Sequence, residues 1–369
     1  MGHMTAAPPR PARGVLPALT SGVWKVAAAA ATPIVPTEIL DMIAPLRAGA
    51  ELRGRIVAIH RETDDAATVV IRPGKSWRGH IPGQYIRIGI DIDGVRHWRA
   101  YSLTSRSDAA DGTISITPKA IPDGLVSNHL VRDARPGTLV MLDQAVGDFV
   151  LPATLPAKIL FVTGGSGITP VMGMLRNLPL HPAADIVLLH SAPQPQDVVF
   201  AAELAERAAS GQIRLSVRHT DVDGMLDFAG LDAEVPDWRE RKVWVCGPTG
   251  LLDAAEMHWA AHELTDALHV ERFRPTIIEP GEGGEITLLD SELTIDADGS
   301  TPILDAAEDA GVLMTSGCRM GICFGCVVTM RQGAIRDLRT GEITTVEPGD
   351  ELPIQTCINA VAGSCDLEA

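Results

Sequence analysis

The sequence has no long apolar run, few cysteines and almost no positive charge over its last quarter. No stretch of the 369 residues approaches the continuous apolar length that a membrane-spanning helix needs, which excludes such a span. The six cysteines, Cys246, Cys318, Cys323, Cys326, Cys357 and Cys365, are too sparse for a disulfide scaffold. Four of the six fall between residues 318 and 357, which points to a metal or cluster site in a reducing cytoplasm. From Thr276 onward there are 17 acids, 4 arginines and no lysine, so this part carries −13 of the total charge of −16. Phosphate backbones would be repelled, so nucleic acid is excluded as a partner. An acidic surface of this kind either keeps a domain solvated or forms a docking face for a basic protein.

What is present divides the chain by texture, and the length suits two or three domains with separate cores. Met1-Gly-His-Met4 reads as a tag remnant, and residues 1–50 form an Ala- and Pro-rich extension. Within it, Trp24 to Val35 faintly mimics a secretion leader but is thinly apolar, and Glu38–Leu46 suits a short helix capped by Thr37. Residues 51–152 carry short alternating strands between Gly, Pro and Asp turns, the pattern of a small antiparallel barrel. Residues 153–275 alternate continuous apolar strands with helices, the pattern of a parallel sheet covered on both faces. Residues 276–284 read as a linker, and residues 285–369 as an α+β unit in which a helix begins after Thr301.

Cys318-Arg-Met-Gly-Ile-Cys323-Phe-Gly-Cys326, with Cys357 distant, is a C-x4-C-x2-C…C pattern. That spacing suits a plant-type [2Fe–2S] cluster, in which four thiolates hold two irons. Gly317, Gly321 and Gly325 let backbone N–H groups approach the cluster sulfurs. Zinc would accept the same thiolates, but structural zinc sites more often use paired C-x2-C hooks, and only one is present. Cys365 lies outside the pattern and reads as a buried or tail thiol.

On these residues the chain from about residue 51 resembles a ferredoxin–NADP reductase-type module followed by a plant-type ferredoxin. The domain order is similar to that of the reductases of phenylacetyl-CoA oxygenase and steroid 9α-hydroxylase. The cysteine loop, with Thr32-Pro-Ile-Val-Pro and Ala44-Pro-Leu in the extension, is most similar to mycobacterial reductases that serve stearoyl-CoA desaturase. The resemblance implies a β-grasp fold for the C-terminal unit.

Arg99-Ala-Tyr101-Ser102 lies on a predicted strand, where alternation sends Arg99 and Tyr101 to one face. A cation and an aromatic ring so paired can neutralise a pyrophosphate and cover an isoalloxazine. The resemblance implies this role for R-x-Y-S, with Ser102 near the flavin N5. Gly124, Val126 and Ser127 resemble the second flavin segment, where N–H groups meet phosphates; Ser127 as a plain N-cap fits equally well. FAD is preferred, with FMN used by some relatives of this architecture.

Thr163-Gly-Gly165-Ser-Gly167-Ile-Thr169-Pro170 follows a strand and opens a helix, the form in which this superfamily binds a nicotinamide dinucleotide. Cys246-Gly247-Pro248, at another strand end, resembles the second nicotinamide motif, and Phe273 would shield the flavin ring. For each, a plain packing role is the alternative. Arg218 sits where relatives place a 2′-phosphate ligand, and no acid ends the strand at His190-Ser-Ala-Pro193, so NADPH is preferred. The combined expectation is a cytoplasmic reductase carrying electrons from NADPH through FAD and [2Fe–2S] to a redox protein acceptor. Ser102 and Cys246 would stand beside the reacting atoms. The resemblance implies a membrane di-iron fatty acyl-CoA desaturase as acceptor, with the extension free to touch the inner face of the membrane. A soluble Rieske or di-iron oxygenase is the alternative, and a redox sensor is a third reading that would need no hydride route.

Overall fold

The computed structural model describes residues 44–92, 94–122, 124–273, 281–317, 319, 321 and 324–369. Three sheets follow one another along the chain, as the changes of sequence texture predict. The first has six antiparallel strands: β1 (Arg53–Arg61), β2 (Ala67–Pro73), β3 (Tyr85–Ile92), β4 (Val95–Ser102), β5 (Ile114–Ile116) and β6 (Leu139–Leu142), in the order β4-β3-β6-β1-β2-β5. A bridge from Leu103 to Ile116 links the two edge strands and closes a barrel. In β3 the sequence Tyr-Ile-Arg-Ile-Gly-Ile-Asp-Ile sends Ile86, Ile88, Ile90 and Ile92 into the core and turns Arg87, Gly89 and Asp91 to the other face.

The second sheet is wholly parallel: β7 (Lys158–Gly164), β8 (Asp185–Ala192), β9 (Arg214–His219), β10 (Lys242–Cys246) and β11 (Leu268–Glu271), in the order β11-β10-β7-β8-β9. Strands β7 and β10 are almost continuously buried, as expected where helices cover both faces. Those helices include α1 (Ile168–Asn177), α2 (Ala201–Ala209) and α3 (Thr249–Ala261). The order in which strands are added reverses between β7 and β10, so the loops after these two strands flank the crevice where open parallel sheets bind ligands.

The third sheet comprises β12 (Gly281–Leu288), β13 (Leu293–Gly299), β14 (Val327–Asp337), β15 (Ile343–Val346), β16 (Leu352–Gln355) and β17 (Asn359–Glu368). Its first and last strands, β12 and β17, run parallel at the centre, and α4 (Ile303–Asp309) packs Ile303, Leu304 and Ala307 onto the core.

Two local expectations are corrected. The segment 276–284 is not all linker, because Gly281–Gly284 already pair with Ala297–Gly299; the glycines that suggest a linker instead form a bulge, with Gly283 at φ +81°. Residues 44–46 form a turn, not a helix end; this turn leans on the barrel, where Lys75 N donates to the Leu46 carbonyl at 3.0 Å. The rest of the expected helix, 38–43, lies outside the described residues. Of the two readings of Cys365, buried or tail, the buried one holds: it lies inside β17, and burial pushes its pKa up to about 12. Among the described residues no helix is long and apolar enough to cross a membrane.

Candidate functional site

Helix α1 joins the barrel to the parallel sheet. Its first eight residues, Ile168 to Leu175, are all buried, with Pro170 in the first turn, where its missing N–H costs nothing. On its barrel side Gly173 packs so closely on the Leu103 carbonyl that a Cβ there would lie 2.3 Å from the oxygen. Arg176 Nη1 donates to the Thr104 carbonyl at 2.7 Å, and Asn177 Nδ2 to that of Ser105 at 3.1 Å. One short helix thus presents Gly165–Gly167 at its start and grips the chain just beyond Ser102 along its length. At about 1.5 Å per residue, those two features are roughly 10 Å apart.

At the end of β4, Ser102 is buried and its Oγ has no hydrogen-bond partner among the described residues. An orphaned hydroxyl in such a place suits a group that arrives from outside. Tyr101, two residues beyond Arg99 on the same face, packs against the barrel core, and burial holds its phenol above the usual range. Arg99 has one hydrogen bond among the described residues, to its neighbour's carbonyl at Trp98 (2.8 Å), which leaves donors for an anion. Burial first, and Arg319 second, lower its pKa. These residues fit the pyrophosphate and ring of a flavin.

The second predicted segment is placed differently. Gly124, not Ser127, is the N-cap of the single turn Leu125–Asn128, and Ser127 Oγ donates back to the Gly124 carbonyl at 3.0 Å. Val126 points into the barrel core. Ser127 is therefore spent on its own turn, and the tight Gly124 corner, with no room for a Cβ between Ile121 and Ser127, is what the segment offers.

Beyond β7, Gly165 takes φ +53° and Thr169 Oγ1 donates to the Ser166 carbonyl at 2.9 Å, so backbone N–H groups gather at the start of α1. The two crevice loops touch: a Cβ on Gly167 would sit 2.0 Å from the Cys246 carbonyl, and one on Gly164 2.8 Å from Pro248. Gly247 lies equally close to Gly164, its absent Cβ falling 3.0 Å from that backbone nitrogen. Thr163 Oγ1 bonds His190 Nδ1 at 2.8 Å, and burial lowers the His190 pKa to about 4, so this pair is neutral. Cys246 is wholly buried, and burial together with the charge of Glu271 raises its thiol well above the ordinary value. In this conformation its sulfur belongs to the core and is closed to a substrate; only the loop backbone beside it faces the crevice.

Glu271, in register with Cys246, opens the Glu271-Arg-Phe273 segment, from which the resemblance implies an aromatic or acidic group near the flavin. Its Oε2 is buried with no partner among the described residues, and burial raises the carboxyl to about 8. Phe273, two residues on, packs against the sheet core. Arg218 stands at the end of β9 as expected, but it is not free: Nη2 pairs with Glu234 at 2.7 Å and Nη1 donates to the Asp223 carbonyl at 3.1 Å.

Of the four expected cluster ligands, Cys318 and Cys323 lie outside the described residues. Cys326 and Cys357 are both buried, with their sulfurs 3.1 Å apart. That separation is too long for a disulfide, about 2.05 Å, and near enough for both to grip one metal. Thr356 fixes the pair by donating its N–H and its hydroxyl to the Cys326 carbonyl. The loop needs left-handed backbone at Arg319, Gly321 and Phe324, and Arg319 is pinned by Asp305 and Glu308 of α4. The donor set fits an iron–sulfur cluster.

The comparisons agree with this division. A model of the oxidoreductase FAD-binding domain matches residues 56–151, one of the oxidoreductase NAD-binding domain 161–257, and one of the 2Fe-2S iron-sulfur cluster binding domain 286–361. An NADPH oxidoreductase of Mycobacterium tuberculosis is 48% identical over 351 residues, covering 93% of this chain and 91% of the relative. A glycine betaine monooxygenase reductase subunit of Pseudomonas aeruginosa is 30% identical, covering 75% and 84%. Phthalate dioxygenase reductase shares the fold at a TM-score of 0.60 and 21% identity, over 86% of this chain and 97% of that one.

Proposed function

The chain belongs to the oxidoreductases that join FAD-binding, NAD-binding and 2Fe-2S domains, and on that premise we propose that it carries electrons from NADPH to an external redox protein. When bound, the flavin takes two electrons as hydride from the nicotinamide, and the cluster hands them on one at a time to the acceptor. The protein's part is to hold these groups in line. Arg99 would neutralise the flavin pyrophosphate, Tyr101 would cover the ring, and the Ser102 hydroxyl would donate toward the flavin nitrogen that receives the hydride. The N–H groups of Gly165–Gly167 and the dipole of α1 would hold the dinucleotide phosphates. Gly247 and Pro248 would wall the nicotinamide, with Phe273 covering the ring until it enters. Cys318, Cys323, Cys326 and Cys357 would hold the irons. The observation that carries this reading is the grip of α1, which fixes the phosphate loop and the Ser102 strand end on one rigid element.

The acceptor we infer is an oxygenase-type partner, as the glycine betaine monooxygenase reductase relative supports. Against a soluble oxygenase we favour a membrane di-iron fatty acyl-CoA desaturase, on the likeness of the cysteine loop and extension to reductases serving such enzymes. The test is reconstitution. Purified protein should hold flavin, iron and sulfide and be reduced by NADPH. With NADPH it should support turnover of a desaturase in membranes more strongly than of a soluble Rieske oxygenase. A colourless protein containing zinc would overturn the reductase reading, and faster turnover with the soluble partner would overturn the desaturase.

A further inference from the structure

On β3, Arg87 and Gly89 face away from the barrel core. Trp98 of β4 lies directly opposite Gly89, and a Cβ on that glycine would be 2.8 Å from the indole, so the ring lies flat on the strand. Arg87 stacks over this ring, its Cζ 5.1 Å from the centroid. Its Nη1 pairs with Asp143 at 3.1 Å. Its Nη2 crosses to the C-terminal unit and donates to the Ser316 carbonyl at 2.8 Å, joining residues 229 positions apart. Among the described residues this is the one side-chain hydrogen bond between the barrel and that unit. Ser316 stands two residues before Cys318. Beside the bond lies a cavity of about 300 Å³, lined by Arg96 and His97 from the barrel and by Glu308, Leu313 and Met314 from the other unit. The interface is therefore thinly filled here, and one planar, three-way restrained guanidinium carries the polar contact.

We propose that Arg87 is a positioning residue for the internal electron-transfer step: it seats the segment leading into the cysteine loop against the barrel and thereby fixes the separation between flavin and cluster. This rests on the reductase reading above. Arg87 lies on the face opposite Arg99 and Tyr101, so it acts on the internal electron step and not on hydride delivery. Electrons crossing this interface come from NADPH and leave to the acceptor, so the step needs no further reactant.

The test uses the holoenzyme and its Arg87→Ala and Arg87→Lys variants, mixed rapidly with NADPH. Arg87→Ala should slow reduction of the cluster several-fold, because electron tunnelling falls off exponentially with donor–acceptor separation, and leave flavin reduction unchanged. Arg87→Lys, which keeps the charge without the planar fork, should fall between the two. A readout independent of turnover is amide hydrogen exchange, which should quicken at residues 312–317 in Arg87→Ala and stay unchanged in β14. Iron and flavin content should equal the wild type. Cluster reduction at the wild-type rate in Arg87→Ala would overturn the proposal, as would equal slowing of flavin and cluster reduction. If the wild type itself passes no electrons to a cluster, it is the reductase reading that fails.

Discussion

At the scale of single residues, the side chains that sequence motifs single out are partly occupied by partners that no motif reveals. Arg218 is the clearest case, since Glu234 and the Asp223 carbonyl already hold it. If it also meets a 2′-phosphate, Arg218→Ala should raise the KM for NADPH by roughly tenfold, the worth of one charge-assisted hydrogen bond, and leave that for NADH unchanged. Equal effects on both nucleotides would reduce Arg218 to a partner of Glu234. Glu271 gives a second expectation. Its folded carboxyl keeps a proton up to about pH 8, whereas the ordinary value is 4.5. Between those values the folded state binds more protons than the unfolded one, so stability falls as pH rises through this window and levels off above it. The thermal midpoint of the wild type should therefore decline from about pH 5 to pH 8, and that of Glu271→Gln should stay nearly flat. Identical profiles would show that the carboxyl is ionised in the fold. The sequence shows only an acid two residues before Phe273; the fold brings it beside Cys246 and buries it without a partner among the described residues.

At the scale of elements, the alternation of β3 and the unbroken apolar runs of β7 and β10 are readable because each strand's burial follows directly from its own side chains. The tight turn after β7 is readable for a similar reason: only glycine fits where the two crevice loops touch. The docking of α1 is not readable, because Gly173, Arg176 and Asn177 meet residues 103–105 only after two domains have closed on each other. That contact predicts a discriminating pair of glycine variants. Gly173→Ala drives a methyl into the Leu103 carbonyl and should cost about 1–3 kcal/mol while slowing ferricyanide reduction by NADPH. Gly250→Ala, in helix α3 with nothing within 4 Å of the added carbon, should be neutral or slightly stabilising. Equal thermal midpoints for the two variants would show that the barrel and α1 tolerate separation.

For the whole molecule, the charge is divided as unevenly as the chemistry. The acids of the C-terminal unit that are paired, Asp305, Glu308, Asp337, Glu351 and Glu368, are held by that unit's own arginines, and its remaining excess faces outward. Steering of a basic acceptor to this unit predicts that rising salt slows acceptor reduction more than NADPH oxidation with ferricyanide. A parallel decline of both rates would remove steering from the account. The three-sheet order and the placement of Cys326 beside Cys357 were foreseeable from texture and spacing, whereas the Arg87–Ser316 contact was not, because no local pattern reports a pairing across 229 residues.

The pairing of β12 with β17 has a consequence for how the molecule is made. The strand at the middle of the third sheet follows both Cys326 and Cys357 in the chain, so they have no finished scaffold until residue 368 has emerged. Iron must therefore enter after β17 has been made, and nascent chains halted before Asn359 should come off the translation machinery with flavin colour but without that of the cluster.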